Sequence, residues 1–121
     1  MQIIIPMSGF GERFRIAGYE VPKPLIEVDG RPIIAHVIDM FPGETNIFFI
    51  CNQEHLNNPF YRMASILKEY CPSGHIVSIP PHKLGPINAV RQMEHLLDPA
   101  EPVVVNYCDF TCYWDWHHFK S

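Results

Sequence analysis

The sequence predicts an α/β fold whose sheet is mainly parallel and carries helices on both faces. Four short apolar segments do not alternate with polar residues, which is typical of strands that are buried on both sides. They lie at residues 3–6, 46–51, 75–79 and 103–105. Amphipathic segments separate them, and strands that alternate with helices form parallel sheets. We therefore expect a doubly wound, Rossmann-like domain that binds ligands at the carboxyl ends of its strands.

Three helices are predicted between these strands. Pro32 suits the first turn of a helix over residues 33–40, and residues 60–70 form a second helix with one apolar face. A short strand at residues 25–28 and a tight turn at Asp29-Gly30 precede the first helix. The third helix covers residues 86–97. It is expected to bury one side, formed by Ile87, Val90, Met93 and Leu97.

Composition and charge exclude several function classes. The formal net charge is −4 and the basic residues form no long run, so no nucleic-acid partner is expected. No apolar segment approaches the roughly 18 residues of a membrane span, so no membrane partner is expected. The amino terminus lacks a secretory signal and the four cysteines contain no CxxC pair, which predicts reduced thiols and a cytoplasmic location. Cys108 and Cys112, beside His117 and His118, do not have a standard zinc spacing.

The segment directly after the first strand is the most informative part of the chain. Gly9 and Gly11 lack side chains, so their backbone N–H groups can approach a phosphate closely. Arg13 and Lys23 supply the positive charge that a polyphosphate requires. The third glycine of a dinucleotide fingerprint is replaced by Phe14, and no P-loop Gly-Lys-Ser/Thr follows. The combination predicts a site for a nucleoside triphosphate of a different type.

Lys23 stands between Pro22 and Pro24, which stiffen the backbone around it. By itself it would be interpreted as a surface lysine in a rigid turn. Beside the glycine turn and Arg13, a stiff mount suits a lysine that must meet a phosphate at a fixed point.

Two other loops follow predicted strands and carry candidate residues. Gly85 lies in the loop after residues 75–79, and Asp109 follows residues 103–105. The carboxyl ends of parallel strands meet at one edge of the sheet, so both loops are expected near the glycine turn. From the residues alone, Asp109 is either a metal ligand or the cap of a following helix.

Residues 3–34 resemble the amino-terminal signature of the sugar-phosphate nucleotidyltransferases, also called nucleotide-sugar pyrophosphorylases. That signature has an apolar strand, a G-x-G-x-R turn, the sequence P-K-P-L, a short strand, and a Gly-basic-Pro turn that enters a helix. The corresponding segments here are residues 3–5, 9–13, 22–25, 26–28 and 30–34. The Met-Ser-Gly-Phe-Gly form of the turn is similar to a subset linked to bacterial surface polysaccharides. Glu12 departs from the usual threonine before the arginine.

The resemblance implies an enzyme that joins a nucleoside triphosphate to a sugar-1-phosphate, giving a nucleotide sugar and pyrophosphate. It implies that Arg13 balances the charge of the leaving pyrophosphate and that Lys23 holds the sugar phosphate. It also implies that Asp109 binds Mg²⁺ and that Gly85, rather than His82 or Lys83, lies against the base. The residues that it implies for nucleotide binding are Met7, Ser8, Gly9, Phe10, Gly11 and Gly85.

The length of the family's catalytic domains, compared with the length of this chain, bears on its domain organisation. Catalytic domains of the family are about twice as long as this chain, in line with single α/β domains of roughly 200 residues or more. The aromatic segment 113–119 ends without a helix stop signal. We therefore expect residues 1–121 to be the amino-terminal, nucleotide-binding half of a truncated nucleotidyltransferase domain. The sequence does not specify the base, the sugar or the oligomeric state. It is compatible with a homo-oligomer.

Two alternative functions are compatible with the same features. The first is a non-catalytic nucleotide-binding or regulatory module, which would bind a nucleotide without turnover. The second is a glycosyltransferase that uses a ready-made nucleotide sugar. It would need a second carboxylate two positions from Asp109, where the chain has Tyr107 and Thr111. It would also have no use for the pair of Arg13 and Lys23.

Overall fold

The computed structural model describes residues 1–8, 21–80 and 86–106. Along the chain the strands are β1 (Gln2–Met7), β2 (Glu27–Val28), β3 (Arg31–Pro32), β4 (Ile47–Asn52), β5 (His75–Ile79) and β6 (Val103–Val105). The helices are α1 (Ile33–Ile38), α2 (Gln53–Asn57), α3 (Met63–Tyr70) and α4 (Pro86–Met93). Single 3₁₀ turns lie at Lys23–Leu25 and Glu94–Leu96.

The main sheet contains four parallel strands in the order β5-β4-β1-β6. Ile3 pairs with Ile47 of β4 on one side and with Val104 of β6 on the other. The chain thus moves outward from β1 to β4 and β5, and then crosses over to the opposite side of β1. This reversal creates a topological switch point between the carboxyl ends of β1 and β6. The predicted doubly wound, mainly parallel sheet is confirmed.

Helices cover both faces of the sheet, as predicted. Because successive strand residues point to opposite faces, Ile3 and Ile5 pack with α1 and α3, whereas Ile4 packs with α4. We call these two sides the α1/α3 face and the α4 face. The core of the α4 face includes Ala89 and Met93, both completely buried. Among the helices that the structure describes, none has the length and apolar character that crossing a membrane requires.

The outer strand β6 is less buried than its sequence predicts. Val103 and Val105 lie on the α4 face and are 43% and 48% exposed, while the residues of β1 and β4 are buried. The strands that α4 contacts most are β1, β4 and β5. The expectation of four buried strands is therefore correct for the two central strands and wrong for the two outer strands, β5 and β6. Of the residues in these outer strands only Ile79 is buried, because their sides are only partly covered within the described residues.

The buried side of the third predicted helix also differs from the prediction, because it does not include Ile87. Ile87 is 74% exposed, whereas Ala89 and Met93, one helical turn apart, are completely buried. At 100° per residue, Ile87 lies about 200° around the helix from Ala89 and cannot face the sheet with it. The α-helix ends at Met93 and the 3₁₀ turn replaces its predicted last turn.

A short β-hairpin with a two-residue turn is found where the sequence predicts a single strand at residues 25–28. Glu27 pairs with Pro32 and Val28 with Arg31, around the predicted turn at Asp29-Gly30. The φ angles of these two turn residues are +53° and +79°, as a type I′ turn requires. Arg31 donates a hydrogen bond to Asp39 at 2.7 Å, which ties the hairpin to the end of α1.

Candidate functional site

The predicted glycine turn follows the carboxyl end of β1 in the sequence. Met7 is the last residue of β1 and is 2% exposed, with its side chain in the core of the α1/α3 face. Ser8 follows and is also 2% exposed. The side chain of Met7 is committed to the core, so a contact between Met7 and a ligand would have to come from its backbone.

Asn52, at the carboxyl end of β4, was not singled out by sequence reasoning but contacts this segment directly. It is completely buried. Its Nδ2 donates a hydrogen bond to the carbonyl oxygen of Ser8 at 3.3 Å. Its Oδ1 accepts a hydrogen bond from the backbone N–H of Glu54 at 2.8 Å, which makes Asn52 the N-cap of α2. An asparagine between an apolar run and a helix is a recognisable cap signal, but its contact with Ser8 has no local signature.

The backbone around Lys23 is anchored to the core. Pro22 and Pro24 are buried and Lys23 is half-buried at the start of its 3₁₀ turn. Leu25 closes that turn, with its N–H donating to the carbonyl of Pro22 at 2.9 Å. The side chain of Leu25 is 6% exposed and belongs to the same core cluster as Met7. The turn that carries Lys23 and the end of β1 are therefore held by one core, on the α1/α3 face.

The other predicted site residues lie outside the described residues. These are Gly9, Phe10, Gly11, Arg13, Gly85 and Asp109. In the sequence they follow the carboxyl ends of β1, β5 and β6, three strands of one parallel sheet. Within residues 1–8, 21–80 and 86–106, no group of three or more His, Cys, Asp or Glu side chains could hold a metal ion. The predicted roles of these residues remain predictions.

An open groove of about 520 Å³ lies at the opposite, amino-terminal edge of the sheet. Its walls include Phe48 and His75, whose rings stack with centroids 4.7 Å apart. Gln2 also lines it, but both polar atoms of its side chain bond to the backbone of Asp98, at 2.8 and 2.7 Å. These polar groups hold the turn before β6 in place, and the groove lies away from the switch point.

Cys51 and Cys71 are buried thiols, in agreement with the reduced state predicted from the sequence. Cys51 donates a weak hydrogen bond to the carbonyl of Phe49 at 3.7 Å. Burial raises the pKa of the Cys71 thiol above its ordinary value of 9.0, against smaller opposing effects of Ser73, Gly74 and Lys68. A protonated, buried thiol is a poor nucleophile, so Cys71 has a packing role.

Comparison with proteins of known sequence finds relatives among the bifunctional GlmU proteins. The chain is 32% identical over 113 residues to the bifunctional protein GlmU of Burkholderia mallei. It is 33% identical over 110 residues to GlmU of Paraburkholderia xenovorans. Each match covers 90% of this chain and 22% of the relative, so the chain spans about a fifth of the length of these proteins. No protein-family model matches the chain.

Comparison with solved structures confirms the fold. A putative glucose-1-phosphate thymidylyltransferase from Bacillus anthracis superposes with a TM-score of 0.78 at 22% identity, over 99% of this chain and 49% of that one. HddC from Yersinia pseudotuberculosis, complexed with GMP-PN, gives 0.68 at 20% identity, over 98% and 52%. A nucleoside-diphosphate-sugar pyrophosphorylase from Vibrio cholerae gives 0.66 at 21% identity, over 93% and 51%. The resemblance inferred from the glycine turn is thus confirmed: this chain is similar in sequence to the sugar-phosphate nucleotidyltransferases and has their fold.

Proposed function

We propose that this chain is the nucleotide-binding half of an enzyme that transfers a nucleotidyl group from a nucleoside triphosphate to a sugar-1-phosphate. The observation that carries the proposal is the position of the glycine turn. It follows β1 at the point where the strand order reverses, which is where open parallel sheets bind their ligands. The sequence similarity to GlmU supports the reaction class.

The proposed reaction needs positioning and charge neutralisation more than covalent chemistry. An oxygen of the sugar-1-phosphate attacks the α-phosphorus of the triphosphate, and the bond to pyrophosphate breaks. Backbone N–H groups from Ser8 to Gly11 would hold the phosphates, and Gly85 would lie against the base. Arg13 would balance the charge that develops on the leaving pyrophosphate.

Lys23 would hold the incoming sugar phosphate beside the α-phosphorus. The buried prolines on both sides and the anchoring of Leu25 in the core support this role, because they fix the backbone from which the ammonium group extends. A charged group on a fixed backbone loses less conformational freedom when it binds a phosphate than one on a mobile loop.

Mg²⁺ is the proposed cofactor, with Asp109 as its ligand. Carboxylate oxygen is the donor that Mg²⁺ prefers, so the donor chemistry fits. The bound ion would neutralise phosphate charge.

We further propose that residues 1–121 form the amino-terminal half of a longer catalytic domain, and that the second half covers the α4 face of β6. Val103 and Val105, 43% and 48% exposed, are apolar side chains suited to burial. The solved neighbours are about twice as long as the part that this chain matches. In this proposal the enzyme acts in the cytoplasm and supplies precursors for polysaccharide synthesis.

The test is a pyrophosphate-release assay on the protein as it is encoded, with each nucleoside triphosphate and a panel of sugar-1-phosphates. Lys23→Ala should lower the rate on the order of 10²–10³-fold, as the loss of one transition-state contact does. Lys68→Ala removes an exposed lysine from α3 and should leave the rate unchanged. A Lys23→Ala rate within a few-fold of the wild type would contradict the role of Lys23. Nucleotide binding without turnover would favour the non-catalytic module instead.

A further inference from the structure

We propose that Asn52 is a positioning residue that sets the orientation of the first peptide unit of the glycine turn. The inference rests on the proposed function, because the turn is taken to be the phosphate-binding element. It starts from the observation that a completely buried amide links the carboxyl ends of β1 and β4.

The hydrogen bond from Asn52 to Ser8 lies at the point where the backbone pairing between β1 and β4 ends. The last paired residues of β1 and β4 are Met7 and Cys51. One residue further on, the side chain of Asn52 reaches the carbonyl of Ser8 at 3.3 Å. A side-chain hydrogen bond thus continues the connection between the strands up to the residue that precedes Gly9.

The bonding of Asn52 explains why an amide occupies a completely buried position. Burying a polar side chain is unfavourable unless its donors and acceptors are engaged. Here Oδ1 caps α2 through the N–H of Glu54, and Nδ2 donates to Ser8. One side chain therefore anchors both the helix after β4 and the chain after β1.

Covalent geometry connects the carbonyl of Ser8 to the ligand site. A peptide unit is planar, so its C=O and its N–H point in opposite directions. The hydrogen bond from Asn52 to the carbonyl of Ser8 therefore also orients the N–H of the same peptide unit. That N–H is directed away from Asn52. A preorganised N–H donor costs less to align with a phosphate than one that must rotate.

Asn52→Ser separates the two functions of the side chain, because serine is also a good N-cap but is too short to reach Ser8. Asn52→Ala removes both bonds. Asn58→Ser is the matched control, since Asn58 accepts a local hydrogen bond from the N–H of Phe60 at 3.0 Å.

The two measurements are the dissociation constant of the nucleoside triphosphate that the wild type binds best, with Mg²⁺, and amide hydrogen exchange over residues 9–11. Asn52→Ser should weaken binding and speed exchange about ten-fold each, as expected for one lost hydrogen bond at a buried site, and should lower the melting temperature less than Asn52→Ala does. Asn52→Ala should show the same two effects and a lower melting temperature, and Asn58→Ser should match the wild type.

Wild-type exchange and wild-type affinity in Asn52→Ser would overturn the inference. The exchange measurement needs no ligand, so it also separates this inference from the proposed function. If the wild type binds no nucleoside triphosphate, the proposed function fails. The link between Asn52 and the turn is then upheld by faster exchange in Asn52→Ser and overturned by unchanged exchange.

Discussion

Gly74 occupies a position in the core at which no side chain fits. A β-carbon added there would lie 2.5 Å from Cε2 of Phe49 and 3.1 Å from Sγ of Cys71. Phe49 is completely buried, so a shift of its ring would disturb the packing around it. Gly74→Ala should therefore lower the free energy of unfolding by about 1–3 kcal/mol, measured by chemical denaturation.

Gly30→Ala is the control for this prediction. Gly30 has a φ angle of +79° but open space around it, so its substitution causes backbone strain without a clash. An unchanged free energy of unfolding in Gly74→Ala would contradict the clash with Phe49, whatever Gly30→Ala costs.

The raised pKa of the Cys71 thiol makes the free energy of unfolding depend on pH. Burial raises its pKa above 9.0 in the folded state, so the unfolded chain loses this proton at lower pH than the folded one. The stabilising contribution is fully present below the unfolded pKa and is lost as pH rises through the folded pKa. The free energy of unfolding should fall as the pH rises above about 9, and less steeply in Cys71→Ala. Equal slopes in the two proteins would contradict the account.

At the scale of single residues, the sequence reveals candidates whose chemistry is local. Gly9, Gly11, Arg13 and Lys23 stand out because phosphate binding needs those residue types within a short segment. Asn52 does not stand out, because its partner Ser8 is 44 positions away along the chain. A contact of this kind depends on strand register, which one sequence does not reveal.

At the scale of secondary structure, α4 offers a matched pair of substitutions. Met93 is completely buried against the sheet, so Met93→Ala should cost about 2–5 kcal/mol of unfolding free energy. Ile87 is 74% exposed, so Ile87→Ala should change it by less than about 0.5 kcal/mol. Denaturation of the two variants side by side gives the comparison. A similar loss in both would mean that Ile87 is buried in the functional protein.

The elements that the sequence predicts best are those with strong boundaries. The strand at His75–Ile79 is confirmed at both ends, because Pro72-Ser73-Gly74 precedes it and two prolines follow. The short helix α2 was not predicted separately, since five residues are too few for a helical pattern. Periodicity also cannot decide between two apolar sides of one helix, which is why Ile87 was assigned to the core.

At the scale of the whole molecule, strand order creates the candidate site. The sequence predicts that three loops follow strands, but not that β1 lies between β4 and β6. That order places the carboxyl end of β1 at the switch point and brings Asn52 to Ser8. Pairing partners are set by tertiary packing and crossover geometry, so they become visible only in the fold.

The most direct test of the central claim is calorimetric titration of the chain with CTP, UTP, dTTP, ATP and GTP, each with and without Mg²⁺. We expect one nucleoside triphosphate to bind and Mg²⁺ to strengthen its binding. We expect binding to be lost in Arg13→Ala and retained in Arg91→Ala, which removes an exposed arginine from α4. A folded protein that binds none of the five, or that binds equally well without Arg13, would contradict the assignment of the glycine turn as a nucleotide site.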